Sequence, residues 1–297
     1  MGMPSDRTRT RRAYRPTVDG RLEDRALLAA VVGPQTQLLP GFVTGFTANG
    51  GRAVVLTDVD GERFRVSVIG GGTVRAQPQA RGQVSLVVNG TNDFSTLSID
   101  QVGPVRSPNS SHDFFTGQAV QDGLLHVNSI TVRSGKLSGI FGYRTADLSG
   151  TIRIAGPGPV DRIAFSALRP GASIQVGGDL NTLDVFNEIN LTTGPGITVG
   201  RDLNSLSVGR ELGLTGGAAI VVGRDVGLNV QPAKGTGPSG RGVFAEGSII
   251  IGPGSSFVIG RDLVGSLVTE GNLIGSSRIF IGRNNSGGVG ARGVIVP

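Results

Sequence analysis

From Ile130 onward the chain repeats one small pattern: two apolar residues two positions apart. The pairs are Ile130/Val132, Ile152/Ile154, Ile174/Val176, Ile197/Val199, Ile220/Val222, Phe257/Ile259 and Ile279/Ile281, at steps of 22, 22, 23, 23, 37 and 22 residues. An apolar period of two is that of a strand, not of a helix. A strand that recurs once per 22 or 23 residues predicts a repeat architecture. Two neighbouring repeats align along their length. Leu180/Leu203, Asn181/Asn204, Leu183/Leu206, Val185/Val208, Glu188/Glu211, Leu191/Leu214 and Gly194/Gly217 each lie 23 apart. One repeat therefore predicts three short strands, near 197–199, 203–208 and 211–214. None is long enough to be stable alone. Stacking them about 4.8 Å apart pairs each strand with its equivalents and lines up apolar columns. The expected fold is all-β: a parallel β-solenoid (β-helix) with 22–23-residue coils over 121–297. The long step contains a Gly/Pro/Ser-rich stretch and predicts a loop inserted near 231–242. Such loops are often placed on a functional face.

Ahead of the repeat, residues 35–120 alternate differently. Ala53–Thr57 and Phe64/Val66/Val68 flank Asp58-Val59-Asp60-Gly61, a strong hairpin signal. Further runs are Val84/Leu86/Val88, followed by Asn89-Gly90, and Leu97/Ile99. An antiparallel β-hairpin region, capping the solenoid or running into it, is expected here. Gly70-Gly71-Gly72 is not a phosphate loop, because neither a helix nor a Walker lysine follows.

Composition supports turn-dense β structure. Gly and Pro supply 50 and 15 of 297 residues, about 22 %, while 38 % of the chain is hydrophobic. The absence of Cys excludes thiolate chemistry and cysteine-bound zinc. A net charge of +6 suggests polyanions at first sight, but residues 1–25 hold seven Arg against four acidic residues. The remainder is only mildly basic and lacks the basic and aromatic interleaving of nucleic-acid binders, so no nucleic-acid partner is expected. No apolar run reaches 18 residues, so no transmembrane span is expected.

Residues 1–34 read as a basic targeting or leader segment. A polar, Arg-rich stretch precedes Ala26-Leu27-Leu28-Ala29-Ala30-Val31-Val32, the order of a secretory signal. A basic tail with a short helix is the alternative. Arg15-Pro16 followed by Leu22-Glu23-Asp24-Arg25-Ala26-Leu27-Leu28 resembles the N-terminal LEDR-x-LL motif of large predicted surface proteins of planctomycete bacteria. Ala29 departs from it, since those proteins often carry Ser there. The resemblance continues in the Asp-x-Asp-Gly hairpin and in Val66-Ser67-Val68-Ile69-Gly70-Gly71-Gly72-Thr73. It implies an exported protein of the cell envelope or extracellular space.

The most conspicuous polar motif is Gly-Arg-Asp-Leu. It stands at Gly200-Arg201-Asp202-Leu203, with relatives at Gly177-Gly178-Asp179-Leu180, Gly223-Arg224-Asp225-Val226 and Gly260-Arg261-Asp262-Leu263, and a decayed Gly282-Arg283-Asn284. Recurrence once per coil predicts a structural turn ladder, in which stacked Asp and Arg columns neutralise each other and Gly supplies unusual φ/ψ at each corner. Calcium is the sharper alternative, with Asp58, Asp60, Asp179, Asp202 and Asp225 as candidate ligands. The spacing of a calcium-binding nonapeptide or EF-hand is missing, so no cofactor is expected. A β-helical polysaccharide lyase or hydrolase would need clustered Asp with Arg or Lys. Trp is absent and the only tyrosines are Tyr14 and Tyr143, which leaves few platforms for sugar rings. His112 and His126 are the only histidines. Ser111-His112-Asp113 are adjacent in sequence, which is not how a catalytic triad is built. The expectation is an exported, non-enzymatic structural or adhesive protein, its partners being cell-surface or matrix components or glycans.

Overall fold

A computed structural model describes residues 44–59, 61–103, 122–227 and 242–297. The leader, Asp60, Ser111-His112-Asp113 and the 231–241 stretch lie outside the described residues. Among the described residues the elements are β-strands and three short 3-10 turns, and no helix is long and apolar enough to cross a membrane.

The strands stack as a parallel β-solenoid. Its first face pairs Ile130 with Ile152, Ile152 with Ile174, and so on through Ile197, Ile220, Phe257 and Ile279, residue for residue as the periodicity predicts. The second face runs through Leu97, Ile140, Ile163, Leu183, Leu206, Val243, Leu267 and Val289. The third runs through Val127, Leu148, Leu168, Ile189, Leu212, Ile249, Leu273 and Ile295. In the coil at the centre of the repeat the three strands are Pro195–Val199, Leu203–Val208 and Leu212–Leu214. Each strand is too short to bury its own apolar side. Stacked, the columns merge into one continuous core. Burying each Ile or Leu contributes roughly 1.5–3 kcal/mol. The step of 37 residues leaves the register intact, since Val222 still meets Ile259 and Val208 still meets Ala245.

The antiparallel region is not a separate layer. Thr44–Ala48, Ala53–Thr57, Arg63–Ile69 and Thr96–Gln101 form one antiparallel series, and Thr73–Pro78 pairs antiparallel with Val84–Asn89. Yet Val84–Asn89 also pairs in parallel with Leu125–Val132, and Thr96–Gln101 with Gly139–Leu148. Leu86 sits on Ile130, so the first column begins one rung before the first repeat visible in the sequence. The Asp58 hairpin closes as expected. Its carboxylate Oδ1 accepts the Glu62 backbone N–H at 3.0 Å.

The corner glycines have a different cause from the one expected. Gly177, Gly200, Gly223 and Gly260 do not have positive φ. Instead each lies against a backbone carbonyl oxygen of the preceding coil. A Cβ on Gly177 would stand 2.8 Å from the Gly156 oxygen, and those on Gly200, Gly223 and Gly260 would press still closer on Gly177, Gly200 and Gly223. The corner needs Gly because backbone stacks on backbone there, not because of unusual dihedral angles.

Candidate functional site

Two polar assemblies climb the solenoid. The first is the Gly-Arg-Asp ladder. The Asp179 Oδ1 accepts the backbone N–H of Asp202 at 3.2 Å, Asp202 Oδ1 that of Asp225 at 3.2 Å, and Asp225 Oδ1 that of Asp262 at 3.0 Å. Asp262 does the same for Asn284 at 3.2 Å, so the decayed motif still completes a rung. Each carboxylate also faces the arginine of the next coil. Arg201 lies 3.4 Å from Asp179, Arg261 3.7 Å from Asp225 and Arg283 2.6 Å from Asp262, while Arg224 grips both oxygens of Asp202. Every rung thus ties an acidic column to a basic one. An amide ladder runs beside it, with Asn204 Nδ2 donating to Asn181 Oδ1 at 2.8 Å.

Two carboxylates of the ladder, Asp202 and Asp262, are held as charges. Burial alone would push Asp202 upward, but the Arg224 hydrogen bonds, the Asp225 amide and the Arg224 and Arg201 charges outweigh it and leave its pKa below the usual carboxylate value. Asp262 is lowered as well, chiefly by its hydrogen bond from Arg283. Of the candidate calcium ligands, Asp179, Asp202 and Asp225 stand in this ladder and Asp58 in its hairpin turn. No three His, Asp or Glu side chains among the described residues are grouped as a metal would require.

The second assembly breaks the repeat. It occupies the corner between the second and third faces. Between Gly142 and Asp147 the chain inserts Tyr143, Arg144, Thr145 and Ala146, where the next coil has only Ser166 between Phe165 and Ala167. The long corner rises over the short one. Thr145 Oγ1 anchors the rise by donating to the Ile99 carbonyl, and Ala146 is fully buried. The result is a cleft of about 410 Å³, with Ser166 at a wall, Phe186, Asn187 and Glu188 beside it, and Arg144 and Arg210 at its margins.

An ion-pair relay borders this cleft. His126 Nδ1 lies 2.8 Å from Asp147 Oδ1, and its Nε2 3.6 Å from Asp122. Asp147 Oδ2 accepts from Arg169 Nε at 3.0 Å, and Arg169 Nη1 donates to Glu188 Oε1 at 3.0 Å. Asp147 is only 3 % exposed. The hydrogen bond that His126 donates to Asp147 is the main reason that its pKa is raised to about 9, against the pull of burial, with Asp147, Asp122 and Asp58 adding charge. At neutral pH the ring is an imidazolium that donates to Asp147. A protonated histidine between carboxylates cannot take a proton as a general base at that pH.

The sequence reading named His126 without giving it a role, and it missed the relay. The only signal is spacing: Asp147 follows His126 by 21 residues and Arg169 follows Asp147 by 22, one coil each. Comparison of the chain with family models, with curated proteins and with solved structures finds no match.

Proposed function

We propose that the protein is an exported, non-enzymatic scaffold of the cell surface or extracellular matrix, with a structural or adhesive role. The supporting observation is the use of charge. Along the Gly-Arg-Asp corner every carboxylate is matched by an arginine of the next coil, so the most conspicuous polar motif is consumed in holding coils together. The likeness of the N-terminal segment to surface-protein leaders supports export. Cell-surface or matrix components, glycans among them, are the partners that suit a long regular face.

A β-helical polysaccharide lyase or hydrolase is the competing reading, and one observation favours it: Asp147 and Glu188 both pair with Arg169, and Asp122 lies nearby at His126. Against it stands the engagement of those groups. Asp147 is buried between His126 and Arg169, and Glu188 is bound to Arg169. Fractionation of the native organism with mass spectrometry of the N-terminus tests the proposal. The expected result is protein outside the cytoplasm, trimmed near Ala29–Val32. An intact cytoplasmic chain overturns it, and so does release of reducing or unsaturated sugar ends from a polysaccharide by the purified protein.

A further inference from the structure

We infer that the cleft beside Ser166 is a binding site for an oxyanion (a carboxylate, sulfate or phosphate group), held by Arg144 and Arg210. The inference rests on reading this cleft as a binding rather than a catalytic surface. It starts from an imbalance. The acidic groups at the cleft are engaged: Asp147 by His126 and Arg169, Glu188 by Arg169, and Asp122 lies near His126. Arg144 and Arg210, by contrast, form no ion pair among the described residues, although both line the cleft. The arginines of the Gly-Arg-Asp corner, by comparison, are spent on carboxylates, as Arg201, Arg224, Arg261 and Arg283 show. Arg144 and Arg210 are left without a carboxylate among the described residues, and both line one cleft.

Their setting suits an anion. The Arg144 guanidinium lies over the Phe186 ring, 4.3 Å from its centroid, and Tyr143 meets that ring edge-on with centroids 5.3 Å apart. A guanidinium resting on a ring still has its N–H groups for paired hydrogen bonds to an oxyanion. A polar donor stands in the wall. Ser166 is 2 % exposed, and its Oγ accepts from Asn187 Nδ2 at 3.0 Å. Its own O–H donates to no acceptor among the described residues. A ligand oxygen in the cleft would satisfy it. Arg169, fixed by its two carboxylates, adds positive charge behind the site without being available to move.

The test uses the full chain at low ionic strength, with binding followed by calorimetry. The probes are sodium sulfate, dextran sulfate and uncharged dextran. Binding of either sulfated probe is expected, weakened at least about tenfold in the double variant R144A/R210A. It should be unchanged in R75A/R153A, which removes the same charge from exposed positions elsewhere. R144K should bind less well than the native chain, because an ammonium retains the charge but loses the planar fork. Binding of dextran sulfate but not free sulfate assigns the site to polymer-borne groups; binding of both assigns it to the oxyanion itself. Equal loss in the two double variants, no loss in R144A/R210A, or no binding of either sulfated probe overturns the inference. Cleavage of a bound polymer would instead overturn the non-catalytic reading and leave the anion site standing.

Discussion

The Gly-Arg-Asp corner and the His126 corner are built by the same stacking and use opposite logic. At the first, every coil contributes the same residue types, so each carboxylate meets the same two partners, an amide and a guanidinium from the next coil. At the second, successive coils contribute His126, Asp147, Arg169 and Glu188, and the charges alternate along the axis. Identical side chains about 4.8 Å apart repel if charged. The first corner solves this with a neighbouring column of opposite sign, the second by setting charges of alternating sign in successive coils. Repetition makes a seam that can be extended by any number of coils. Alternation makes a unique place.

The largest effect should come from the feature on which the first corner depends most. Gly223→Ala places a Cβ against the Gly200 carbonyl oxygen, which is backbone and cannot step aside. A loss of about 3 kcal/mol or more is expected in chemical denaturation, at the upper end for overpacking. Gly288→Ala, where nothing lies within 4 Å, is the control and should change stability by no more than about 0.5 kcal/mol. Equal effects in the two would mean that the corner is not held by backbone contact.

At the second corner, Asp147→Ala removes a buried carboxylate and strands His126 and Arg169. About 2 kcal/mol is expected, less than for a fully buried pair because both partners are partly exposed. His126 also gives this corner a pH signature. Its folded pKa, about 9, lies above the ordinary 6.5. The stabilisation is therefore fully present below about pH 6.5 and is lost as pH rises through about 9. A melting curve series from pH 6 to 10 should show this decline in the native chain and a flatter one in His126→Gln. Parallel declines would remove His126 from the account.

The register from Ile130 to Ile281 was legible because the same residue types return at the same interval, and stacking requires nothing more. Leu86, one rung earlier, was not, because 44 residues separate it from Ile130, two steps of the repeat with no apolar pair in the sequence at the step between. The glycine column was visible, but its cause was misread: nothing in the letters distinguishes a Gly needed for its dihedral angles from one needed for close approach. The cleft was hidden for a third reason. It arises from a difference in corner length, four residues over one, between strands whose boundaries a pattern of alternation does not fix.

Smaller effects belong to the ladder's side chains, where the comparison between corners becomes one between rungs. Asp202→Ala leaves the Asp225 amide without its acceptor and Arg224 without its carboxylate. A loss of about 1–2 kcal/mol is expected. Because the Asp202 pKa is depressed below 3.8, this contribution is present above that value and disappears as pH falls through the folded value. Native and D202A proteins should therefore converge in stability in strong acid, and addition of calcium should leave the melting temperature of both unchanged. A rise with calcium in the native chain alone would reassign the Asp column to a metal. Asp262→Ala tests the same chemistry one rung from the end, where Arg283 is more exposed than Arg224 and the amide acceptor serves Asn284 instead of an aspartate. Solvent can replace more of what is lost there, so its effect should be the smaller of the two. If it equals that of Asp202→Ala, the rungs are equivalent. The ladder's strength would then lie in the amide bond that every rung shares, not in the ion pairs whose exposure differs.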